Sequence, residues 1–158
     1  METHLLEFRI LSLLRNRNAY LKYSNIIKDY LFESKFTKYI FRLILFYHKS
    51  AKGKKLAPLS SLFALVNTRV KDTEADKYKD IIRQIKRFPL TDESIADEIV
   101  KTFAQRQLLK MTIMDAVHSL DHDEKLDISK LRSRLDEALL IESTDLIDTA
   151  YDYFTNPT

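Results

Sequence analysis

A chain of 158 residues that holds one glycine, Gly53, three prolines and no cysteine lacks most of the residues from which tight turns, bulges and left-handed backbone are built. Average usage would supply roughly 7% glycine. The deficit argues against β-rich and alternating α/β folds and predicts an all-α protein. It also removes classes of function. A P-loop or dinucleotide fingerprint needs several glycines at fixed spacing so that backbone N–H groups can approach a phosphate. A nucleophile elbow needs glycines flanking its serine. With no cysteine there is no disulfide and no thiolate metal ligand.

Hydrophobic residues make up 45% of the chain, as in an ordinary globular protein able to bury one core or two small ones. Arg42 interrupts the most apolar stretch, Tyr39 to Tyr47. No uninterrupted apolar run reaches the roughly 18 residues of a membrane span, and no basic leader precedes a short apolar segment. The expectation is a soluble, cytoplasmic protein with no membrane partner. The net charge of +3 conceals a gradient. Residues 1–60 carry 12 Lys and Arg against 4 Asp and Glu, whereas residues 112–158 carry 4 against 11. Such asymmetry fits a basic half facing nucleic acid, head-to-tail attraction between subunits, or two solvated faces of opposite sign.

Apolar residues from Leu5 to Leu14 recur with helical spacing and stop at the polar stretch Arg15 to Asn18. A second helix is expected over Tyr20 to Phe32 and a third, strongly apolar one over Lys35 to His48. The basic segment Lys49 to Lys55 reads as a loop. Pro58 opens a short fourth helix through Val66, since proline is tolerated in a first turn. Residues 71–76 read as a second loop, and 77–87 as a fifth helix that stops before Pro89. Thr91 is a plausible N-cap for a long helix to about Leu120. The polar stretch Asp121 to Lys125 then turns the chain into another helix from Asp127, with Ile128, Leu131, Leu135 and Leu139 on its apolar side. Two helices so closely joined predict an antiparallel hairpin. The expected organisation is a helical head over 1–90, a hairpin over 91–143 and the start of a linker over 144–158.

Several segments carry a resemblance as they stand. ILSLLRNRNAYLKYSNIIKDYLFESKFTKYIFRLILFYHK at 10–49 gives a helix, a short polar break, a second helix and a phenylalanine-containing turn into an apolar third helix. LAPLSSLFALV at 56–66 gives a loop and small helix, and SIADEIVKTFAQRQLLKMTIMDAVHSL at 94–120 with ISKLRSRLDEALL at 128–140 gives the two hairpin helices. Together they resemble the N-terminal domain of DnaB-type replicative DNA helicases, nearest the phage branch. The resemblance implies a non-catalytic collar: head and hairpin self-associate as a dimer, trimer or hexamer, hold a hexameric ring, and offer a dock to a primase or helicase loader. In the complete helicase, ATP, Mg and DNA belong to a RecA-like motor. This chain has no Walker A string, so hydrolysis is not carried over to it. The acidic, aromatic residues 144–158 stand where the family's interdomain linker begins, which suggests an excised domain, in host cytoplasm if phage-encoded. No catalytic, cofactor-binding or metal-binding residue is expected in this chain.

An exposed apolar stripe on the hairpin nominates residues for self-association: Phe103, Leu109, Ile113 and Val117 on its first helix, Ile128, Leu131, Leu135 and Leu139 on its second. His118, Asp121, His122 and Asp123 include a histidine pair at i, i+4. A metal or HD-type phosphohydrolase site would need further ligands held at defined spacing, so a solvated helix end is the favoured reading. Lys49, Lys52, Lys54 and Lys55, with Tyr47 and His48 beside them, are the candidate nucleic-acid contact, because clustered lysines release counterions from phosphate while an aromatic can stack on a base. The alternative function is therefore a free-standing basic helical protein that binds single-stranded nucleic acid through this loop.

Overall fold

The computed structural model describes residues 3–89, 93–122 and 125–143, and over these the protein is all-α. Seven helices are present among the described residues: α1 (Thr3–Leu14), α2 (Arg17–Tyr23), α3 (Lys35–Ser50), α4 (Leu59–Arg69), α5 (Asp72–Lys86), α6 (Glu93–Asp121) and α7 (Ile128–Ser143). The chain divides into two compact units, the first ending at Ala96 and the second starting at Asp97, within α6. The expected linker from residue 144 and the expected N-cap Thr91 lie outside the described residues.

In the first unit α1, α3 and α5 pack on one another, with α4 against α5 and α3. The apolar periodicity explains which faces meet. Ile10, Leu11 and Leu14 of α1, Ile40 and Ile44 of α3, Leu62 and Val66 of α4, and Ile82 and Ile85 of α5 are all buried to 1% exposure or less. Tyr78 fixes α5 on α3 by edge-to-face contacts with Phe36 and Tyr39, both at 5.1 Å between ring centroids. Ser12 donates from its hydroxyl to the carbonyl of Phe88, tying the residues after α5 back to α1.

Two sequence expectations change. The helix expected over Tyr20 to Phe32 is instead the short α2, followed by a 3-10 turn at Asp29–Leu31. The polar stretch that marks the end of α1 also starts α2, since the Asn16 side chain accepts from the Ala19 amide at 3.1 Å. Ser24 and Asn25 then favour a turn over a helix interior, and the Ser24 hydroxyl bonds back to the Leu21 carbonyl. The loop expected at 71–76 is the first turn of α5, where Asp72 and Glu74 sit at the positive end of the helix dipole.

In the second unit α6 and α7 form the antiparallel hairpin. Gln105 donates to the Ala138 carbonyl at 3.4 Å, and Arg134 pairs with Asp115, so positions rise along one helix as they fall along the other. Asp127 caps α7 by accepting from the Lys130 amide at 3.0 Å. Among the described residues Ala138 is the one α7 side chain that is buried.

Candidate functional site

The hairpin carries most of the large apolar side chains that remain in water. On α6, Ile113, Val117 and Leu120 are 50–62% exposed; on α7, Ile128 and Leu139 are 61–70% exposed and Leu135 is 38% exposed. Their placement follows from helical rotation. Thr112, Ala116 and Ser119 of α6 line a cleft of about 310 Å³ shared with Asp127, Leu131 and Arg134 of α7. Ile113, Val117 and Leu120 each follow one of those α6 residues, and Ile128 and Leu135 each follow one of those α7 residues. One residue is a rotation of about 100°. In an antiparallel pair the sense of rotation and the direction of the partner both reverse, so the two sets emerge on the same side of the hairpin. Counted from the Arg134–Asp115 pair, Ile113 falls close to level with Leu135, and Leu120 with Ile128. The result is one apolar face, two helices wide.

The eight nominated self-association residues therefore part company. Ile113, Val117, Ile128, Leu135 and Leu139 lie on this face, with Leu109 half-buried at its edge. Phe103 is a correction: it is 0% exposed and belongs to the interior of the chain, where it has no surface to offer a partner. Leu131 is a second correction, since it is half-buried and lines the cleft between α6 and α7 rather than the outer face. Leu120, on the face, was not among the nominated residues, although its spacing from Ile113 and Val117 carries the signal.

The basic loop is built differently. Lys49, Lys52, Lys54 and Lys55 are all exposed, and Gly53 at the tip takes φ +86° with nothing within 4 Å of the place a side chain would occupy. The loop's far end is tied to the link between α1 and α2. The Arg17 amide donates to the Lys55 carbonyl at 2.8 Å, the Ala57 amide to the Arg15 carbonyl at 2.8 Å, and the Arg15 Nε to the Ala57 carbonyl at 2.9 Å. Arg15 and Arg17 thereby join the lysine cluster, a juxtaposition no local sequence pattern announces.

His48 anchors the near end. It is 1% exposed, and its Nε2 donates to the Leu14 carbonyl at 2.7 Å, which leaves Nδ1 as a buried acceptor with no hydrogen-bond partner among the described residues. Arg17 donates to the His48 carbonyl at 2.6 Å, and the Tyr20 ring stacks on the imidazole with centroids 4.8 Å apart. Burial, helped by the Arg17 charge, pushes the His48 pKa below its ordinary value. The contacts of the imidazole are internal, and they join α1, α2 and the end of α3.

The histidine pair at the end of α6 has simple local geometry. His118 and His122 rings lie 4.1 Å apart, and His122 Nδ1 donates to the His118 carbonyl at 2.9 Å. Asp123 lies outside the described residues, and among the described residues no three His, Cys, Asp or Glu side chains come together as a metal site. No described helix is long and apolar enough to cross a membrane. In comparisons with known proteins, no family model, curated protein or solved structure matches the chain.

Proposed function

We propose that this chain is a non-catalytic self-association and docking element, the collar of a DnaB-like replicative helicase, acting in the cytoplasm. The observation that carries the reading is the two-helix-wide apolar face on α6 and α7. Monomeric proteins rarely leave a contiguous face of this kind in water unless it binds something. A second copy of the same hairpin is the simplest complement, because a two-fold interface needs one self-complementary patch and both helices contribute exposed apolar residues to this face. The resemblance of residues 10–49, 56–66, 94–120 and 128–140 to the helicase collar supports the same reading, and adds a primase or loader as a further partner. Hydrolysis of ATP is ascribed to none of these residues.

The test is molar mass by light scattering on a sizing column as protein concentration rises, at low and at moderate salt. The reading expects growth from monomer to dimer or higher order that persists in moderate salt, since apolar burial is not screened. A monomer at every concentration overturns it.

A further inference from the structure

We infer that the α2 side of the head binds single-stranded nucleic acid, one base entering a cleft beside Tyr20 while the neighbouring phosphates lie along Arg17 and the Lys52–Lys55 loop. Three observations converge on this surface. The first is charge. The chain has no acidic residue between Glu7 and Asp29 and none between Glu33 and Asp72. The backbone hydrogen bonds from Arg17 to Lys55 and from Ala57 to Arg15 sew these two acid-free segments together. Six cations, Arg15, Arg17, Lys49, Lys52, Lys54 and Lys55, are collected with no carboxylate in either strand of the junction. Repulsion within such a cluster raises the free energy of the unliganded protein, and a chain of phosphates relieves it while releasing counterions.

The second observation is a cleft of about 370 Å³ in the same unit, at the lower end of the size range of small-ligand sites, roughly 300–1,000 Å³. Ile27 and Phe41 supply apolar lining, and Tyr20 and Tyr30 supply aromatic surface. Lys28 and Arg42 also line it. Asp29 is the one carboxylate there, and Arg42 holds it at 2.8 Å, which keeps its pKa below the ordinary carboxylate value. A base entering this cleft meets the rings of Tyr20 and Tyr30 and no unpaired negative charge.

The third observation is the link between the two. Tyr20 lines the cleft and also stacks on His48, the residue before Lys49. Arg17 lies one helical turn before Tyr20 on α2 and donates to the His48 carbonyl. Stacking surface and cations are thus held side by side by α2 and the end of α3. Sequence-tolerant single-strand binding needs that pairing, because aromatic stacking accepts any base and phosphate contacts accept any sequence. A duplex keeps its bases stacked internally, and an acidic protein has no base to insert.

The test is fluorescence anisotropy of labelled oligothymidylate titrated with the full chain over a range of salt, beside a duplex of equal length and polyglutamate. Expected is single-strand binding that weakens with salt by about 0.7 log units per log unit of salt for each phosphate neutralised. Lys52→Ala, Lys54→Ala and Lys55→Ala together lower that slope by about 2. Tyr20→Leu weakens binding about tenfold and leaves the slope unchanged. Tyr30→Ala, at a side chain already 44% exposed, gives a second reading of the cleft that does not depend on packing against His48. Absence of binding at low salt overturns the inference. So does equal affinity for duplex or polyglutamate, or binding indifferent to both tyrosine substitutions, each of which marks a general polyanion surface.

Discussion

Replacing Ile113 and Leu139 together by Glu separates the two roles an apolar residue on a helical hairpin can have. In the isolated chain the two side chains are 60% and 61% exposed, so the substitution removes little packing. Glu is also a good helix former, and each change should alter folding stability by no more than about 0.5 kcal/mol. At an interface the cost is larger. Complete burial of a Leu or Ile side chain contributes about 1.5–3 kcal/mol, so burying the three-fifths still in water contributes about 1–2 kcal/mol per residue. In a two-fold dimer each substitution occurs twice, which makes the apolar loss alone about 4–8 kcal/mol, and the carboxylates add a desolvation cost. The dissociation constant should rise at least about a thousandfold. Light-scattering mass against concentration reads the association, and circular dichroism with thermal melting reads the fold. A doubly substituted chain that keeps the parent's mass at every concentration refutes the assignment of this face. Loss of helicity refutes it differently, by showing that residues exposed in the structure are needed to fold the monomer.

Three further outcomes follow from burial and backbone geometry. Because the folded-state pKa of His48 is lowered, the unfolded chain binds more protons below the ordinary histidine pKa of about 6.5, and stability should fall as pH drops through and below that value. Urea unfolding between pH ~5 and ~7 should show this slope flattened in His48→Gln, which keeps a donor for the Leu14 carbonyl without titrating. Ile82→Ala, at a side chain with no exposure, should cost about 2–5 kcal/mol in denaturant unfolding, whereas Ile128→Ala, 70% exposed, should stay within about 0.5 kcal/mol in a dissociated background. Gly53→Ala meets no steric obstacle but must hold φ +86°, so its thermal melt should fall by a few degrees, the equivalent of about 1 kcal/mol.

The helices were legible where one apolar stripe dominated, as in α3, whose buried Ile40, Leu43 and Ile44 recur at three- and four-residue steps. They were not legible where the same residue type serves two purposes. Asn16 ends one pattern and caps the next helix, and the acidic residues read as a loop at 71–76 are the favoured occupants of a helix's first turn. The junction of Arg15 and Arg17 with Lys55 and Ala57 depends on backbone hydrogen bonds between segments some forty residues apart, for which no side-chain periodicity exists. That junction brings two acid-free runs together, and their absence of carboxylates could be seen in the sequence while their adjacency could not.

The hairpin shows the same limit at the level of function. α6 is apolar on more than one side: Val100, Phe103 and Ala104 are buried, while Ile113, Val117 and Leu120 stand in water. Periodicity identifies both sets as helical stripes but is silent on which is interior, because an apolar residue in a core and one awaiting a partner obey the same spacing. Burial decides between them, and it moves Phe103 into the interior and turns Leu131 toward the interhelical cleft. What remains outside is a set contributed by both helices. A stripe on one helix could be incidental. A face assembled from two helices leaves a broader apolar surface exposed, and the proposed association with a second such face would remove it from water.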